Sequence, residues 1–343
     1  MPLPVLFIAV PAVLGSAGVG LTAKAGLDQH TAKKLNDKSN SRIENAGLRL
    51  ERLREECGIS FQKLGEEKLY VLNNSIKKFV DLFSQLKNVD FTNSIGLEEL
   101  KKFHVDKKEF DELEEMSMFA LSVGEGVVAG AAGGALAAFG AYSAAGMFAT
   151  ASTGTAIASL SGAAATNATL AFFGGGAISA GGLGMAGGQA VLTGLTAAPL
   201  LMVEGILFNI KGNKVLENAK DIEYQTFKAV GKMQDIEIEL KRLALLSKSV
   251  QDELQQLYDV YLRLVAQAEK TVERTTEYVN FTAAEKLNFQ KTCLAIKLIS
   301  VLSKQDLLDK AKEGEMNKVL DKETKTTLQT VHQAAENGKL LMK

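Results

Sequence analysis

Charge is absent from the middle of this chain. Between Met116 and Ile210 only Glu125 and Glu204 carry it; every other one of the 39 Lys and Arg and 40 Asp and Glu residues lies outside that run. The same run holds 19 of the 31 glycines. So sharp a split predicts an all-α chain in which polar helical arms flank a Gly/Ala-rich apolar block compatible with a membrane. The predicted divisions are an apolar segment at 1–23, a first polar arm at 24–115, the insertion block at 116–210, a second arm at 211–281, and C-terminal helices with a mobile tail at 282–343.

Within the block, Gly126, Gly130, Gly134 and Ala138 recur four apart, so they share one helix face. Gly184 and Gly188 repeat the spacing. Glycine at such positions lets helix backbones approach closely, which is how helices associate where no hydrophobic force separates them from lipid. The centre, Thr150 to Thr169, is small and hydroxyl-rich and suits contact with other helices better than bare lipid. The simplest topology has two spans, 117–149 and 177–210, with both arms on one side of the membrane. Glu125 and Glu204 then lie near the arm end of each span, where charge costs less than at the bilayer centre. A helical hairpin hidden inside the polar arms is the alternative, because small residues also serve close packing in water. The glycines match neither GxxxxGK[ST] nor GxGxxG after a strand, which argues against a phosphate loop.

Residues 2–23 carry no charge and are followed by Lys24, Lys33 and Lys34. That order favours an uncleaved anchor in the inner, cytoplasmic membrane, with the arms on the cytoplasmic side. A buried packing element, a signal peptide, and a soluble form that inserts on a trigger are the other readings.

The first arm reads as helix from Asn40 to Leu86. Its stripe is Ala46, Leu50, Leu53, Cys57, Phe61, Leu64, Leu72, Ile76, Phe79, Phe83 and Leu86. Asn93, Ser94 and Gly96 mark a turn, and short helices are expected at 97–103 and 107–115. The second arm carries a heptad seam of Ile236, Leu240, Leu243, Val250, Leu254, Leu257, Tyr261 and Leu264, interrupted by Ser247. The arms are expected to pair antiparallel across the apolar hairpin. Thr282 to Glu285 forms a capping box that opens another helix. From Glu313 onward, short helical pieces and a mobile end are expected.

Net charge is −1, and no basic stripe with interleaved aromatics favours nucleic acid. His30, His104 and His332 are isolated, so neither a metal set nor a catalytic triad emerges. Cys57 and Cys293 lack motif spacing and read as buried thiols of a reducing compartment. No enzyme activity and no cofactor are expected.

The order of coil arm 40–86, apolar block 116–210 and coil arm 215–278 resembles the helical pore-forming toxins typified by cytolysin A and haemolysin BL. That resemblance implies long antiparallel helices and one apolar head hairpin. Thr150 to Ala171, TASTGTAIASLSGAAATNATLA, is also similar to bacterial Gly/Ala-rich helical membrane proteins. The expected partners are a lipid membrane, further copies of the chain and a protein engaged through the coils. The expected outcome is a pore or another form of permeabilisation; a non-pore membrane scaffold or a soluble helical assembly is the alternative.

Overall fold

The structure is a computed structural model and describes residues 23–88, 139–141, 215–309 and 318–340. These residues form an all-α fold. Its helices are α1 (Ala23–Phe83), α2 (Val215–Arg274), α3 (Ala283–Ser303) and α4 (Asp321–Asn337). Two-residue strands β1 (Leu308–Asp309) and β2 (Lys318–Val319) pair antiparallel between α3 and α4. The helix expected from Asn40 thus begins at Ala23. The apolar segment 1–23, the turn at Asn93 to Gly96, the two short helices after it, and both candidate spans lie outside the described residues apart from Ala23 and 139–141.

The two long helices pair in parallel, which corrects the antiparallel expectation. Lys38 bonds Glu223 at 3.5 Å, and Arg49 pairs with Glu237 at 3.3 Å. Ser247 Oγ donates to the Ser60 carbonyl at 3.0 Å, and the Tyr261 hydroxyl donates to the Ser75 carbonyl at 2.7 Å. Further along, Lys78 pairs with Glu269 at 2.9 Å. Both numbers rise together, and the separation stays at 185 to 187 residues through three of these bonds. An apolar stripe specifies which face is buried and carries no direction. A short connection would have required antiparallel neighbours. The long one between Phe83 and Val215 does not, and its closure entropy grows only slowly with length. At 1.5 Å per residue the pair is about 90 Å long.

Each helix contributes one stripe to the seam. Toward the α1 N-terminus the seam is built from small residues one heptad apart, Ala32, Ser39 and Ala46 on α1 with Ala219 and Thr226 on α2, all buried. Beyond them lies a core cluster of Leu50, Cys57, Phe61 and Leu64 with Leu240, Leu243, Leu246 and Val250. A second cluster around Val71, Phe79, Leu254 and Tyr261 is widened by α3 and α4.

α3 folds back along α2 because the chain turns sharply after Arg274. Lys87 N–H donates to the Thr276 carbonyl at 2.9 Å, and Tyr278 N–H donates to the Lys87 carbonyl at 3.2 Å, tying the end of α1 to this turn. Thr282 then starts α3 with the full capping box: its side chain accepts from Glu285 N–H, and the Glu285 carboxylate accepts from Thr282 N–H at 2.8 Å. Of the short helical pieces expected after Glu313, the structure describes one, α4. α4 runs 17 residues and buries Thr324, Val331, Ala334 and Ala335. His332 reaches Glu253 of α2 at 3.2 Å and Glu336 at 3.6 Å. The buried face of α4 is made mostly of small residues, so it leaves little apolar pattern in the sequence.

The parallel orientation is testable by cross-linking. In Lys38→Cys/Glu223→Cys protein a short bis-maleimide is expected to join the two positions within one chain. Lys38→Cys/Asp259→Cys protein should not react, because Asp259 lies 36 residues along α2 from Glu223, about 54 Å away. The opposite pattern would restore an antiparallel pair.

Candidate functional site

Phe61, Leu64, Gly65 and Lys68 lie three and four residues apart on α1 and share one face. Against that face sits the described part of the apolar block, the helical residues Phe139, Gly140 and Ala141. The approach is backbone to backbone. A Cβ added at Gly140 would run into the Phe61 carbonyl oxygen and lie 3.1 Å from the Gly65 nitrogen. A side chain at position 140 would not fit this spacing. Phe139 belongs to the core cluster on the α3 side and Ala141 to the other, so three residues of the block bridge the two. The Ala141 carbonyl also accepts from Leu307 N–H at 2.9 Å.

Lys68 stands at this junction and is fully buried. Its Nζ donates to the Gln305 carbonyl at 2.9 Å and to the Gly140 carbonyl at 3.4 Å. One amine thus joins α1, the docked segment and the turn between α3 and β1. Burial disfavours the charged form and pulls the lysine down to about 7, while the nearby Asp306 carboxylate opposes that shift. Thr324 at the start of α4 donates to the Asp306 carbonyl at 3.4 Å, which ties α4 to the same turn.

The glycine series Gly126, Gly130, Gly134 with Ala138, the pair Gly184 and Gly188, and Glu125, Glu204 and His104 all lie outside the described residues. Of the α2 seam, Leu240, Leu243, Val250, Leu254, Leu257 and Tyr261 are buried, and Ile236 and Leu264 are half-buried against the core. Ser247, the polar interruption, uses its hydroxyl to hold the α1 backbone at Ser60. Lys68, Phe139, Gly140 and Asp306 were not singled out by the sequence, and Gly65 read only as a weak point in the helix. A signal for Lys68 did exist: the α1 stripe jumps from Leu64 to Leu72, and position 68 fills the helical spacing between them.

Both thiols are buried; burial pushes Cys57 up to about 12 and raises Cys293 as well, so neither is a nucleophile at neutral pH. An open groove of about 520 Å³ between α1 and α2 is lined by Asn73, Lys77, Lys78, Asp81, Glu269 and Glu273, and its mixed charges favour no one ligand sign. On α2, Tyr224, Phe227, Ile238 and Leu245 are exposed, Phe227 at 71%. Among the described residues no group of three His, Cys, Asp or Glu is placed to hold a metal ion. Among the same residues no helix is long and apolar enough to cross a membrane. No family model, curated protein or solved structure matches the chain.

Proposed function

We propose that the chain is a membrane-inserting protein that carries its Gly/Ala-rich block on a parallel helical body. It delivers the block into lipid, where copies assemble and permeabilise the bilayer. One observation supports this reading above the others. A piece of the apolar block, Phe139 to Ala141, is seated against α1 through a close approach of Gly140 to the α1 backbone, and a backbone hydrogen bond from Leu307 holds its Ala141 end. Such a seat keeps apolar residues of the block, Phe139 among them, out of water. The rest of the block is apolar enough to prefer lipid once released.

The purified full-length protein, mixed with dye-loaded liposomes, is expected to float with the vesicles and release the dye. Flotation without release would replace permeabilisation by a membrane scaffold. Absence of both would reject insertion and favour a second reading, a helical assembly protein whose block stays docked. The outward stripe of Tyr224, Phe227, Ile238 and Leu245 on α2 supports that second reading, since it offers a face for a further helix.

A further inference from the structure

We propose that Lys68 is a proton-operated latch: its amine ties Gly140 of the apolar block to the turn at Gln305, and protonation loosens the tie so that acidification frees the segment. The proposal rests on the membrane-insertion reading for its purpose, though not for its physics. Geometry carries it. The Lys68 amine is the side chain that spans from α1 to both the Gly140 and Gln305 carbonyls, and no part of it reaches solvent. Docking therefore removes this amine from water, and undocking returns it.

The charges around the amine decide the direction. From the turn, Asp306 faces it and favours the ammonium. The docked segment brings Phe139, Gly140 and Ala141, which hold no ionisable side chain. From α4, Thr324 contributes a hydroxyl behind Gln305. On α1 the adjacent Glu67 is raised by its own burial and by Asp259 of α2. Burial outweighs the Asp306 carboxylate: Lys68 sits at about 7 when docked, against about 10.4 for a lysine in water. Between these values the undocked state holds a proton that the docked state lacks. Docking is strongest above the higher value and weakens as pH falls through the window. Below about 7 both states are protonated and the dependence on this group ends.

Hydrogen exchange of the amides at 139–141 tests the latch in the full-length protein, each rate being corrected for the intrinsic rate at its pH. Between about pH 7 and about pH 9 protection is expected to rise by up to roughly tenfold per unit, and to be level between about pH 6 and about pH 7. In Lys68→Met protein the rise should vanish. A wild-type profile without slope, or a slope that survives in Lys68→Met, overturns the proposal. Asp306→Asn provides a second variant should Lys68→Met fail to fold: loss of the supporting carboxylate should move the break to lower pH, and an unmoved break rejects the latch. Vesicle flotation at pH 6 and pH 9 separates the two readings. Stronger flotation at pH 6 supports both; a sloped exchange profile with no flotation at either pH keeps the latch and rejects membrane insertion.

Discussion

Gly140→Leu is expected to expel the docked segment from α1 while leaving the helices folded. The new side chain would have to occupy space held by the Phe61 carbonyl and the Gly65 nitrogen. Those are backbone atoms of a long helix and cannot rotate aside, as a side chain would. Overpacking commonly costs 1–3 kcal/mol; rigid neighbours place this case near about 3 kcal/mol, or on the order of 100-fold in the ratio of docked to undocked protein. Hydrogen exchange at 139–141 should accelerate accordingly, with the helical circular dichroism retained. If insertion follows release, vesicle flotation should rise in the same variant. Gly58 provides the contrast, because nothing lies within 4 Å of a Cβ placed there. Gly58→Ala should leave exchange at 139–141 unchanged and, through helix propensity, add about 0.5–1 kcal/mol to stability. Undiminished protection in Gly140→Leu would remove the seat from the functional account.

Phe289→Ala is expected to be the most damaging core substitution at the other end of the body. Phe289 is almost fully buried. Its ring centre lies 6.1 Å from that of Phe83 on α1, 6.4 Å from Tyr278 and 6.2 Å from Phe281 in the turn. One side chain thus joins the last turn of α1 and the bend after α2 to the start of α3. Truncation of a buried phenylalanine typically costs 3–5 kcal/mol, and offset or edge-on ring pairs add to what area burial alone contributes. The denaturant midpoint should fall by the corresponding amount. Val279, in the same turn and 68% exposed, should change stability by less than about 0.5 kcal/mol when replaced by alanine. A loss below about 1 kcal/mol for Phe289→Ala would mean that this aromatic cluster does not hold the end of the body together.

The helices themselves could be read from sequence, because amphipathic spacing and the Thr282 capping box are local signals. Leu240 to Tyr261 advertise a seam through their periodicity alone. The direction of pairing could not be read so, since Lys38 and Glu223 pair across 185 residues and a heptad looks the same from either end. The candidate site was hidden for a related reason. Gly65 reads as a weak point in a helix until another backbone is seen to press on it. The gap in the apolar stripe between Leu64 and Leu72 falls at Lys68, but spacing alone does not tell a buried lysine from an exposed one. The buried face of α4 was not legible because Thr324, Ala334 and Ala335 bury small side chains, which contribute little to an apolar pattern.

The parallel pairing also sets an order of events at the ribosome. Nearly all of α1 waits for a partner that lies some 187 residues later, as at Ser60 and Ser247, and contacts so distant in sequence make folding slow. The whole Gly/Ala-rich block is therefore translated before α2, and before the Gln305–Leu307 turn that seats Phe139 to Ala141, exists. At about 5–20 residues per second, the interval between the end of the block and the end of α2 is roughly 3–13 s. During that time the nascent chain presents its most apolar stretch with no completed body to hold it. A chaperone or a nearby bilayer that engages the chain in this interval competes with docking before the competition can be decided by stability.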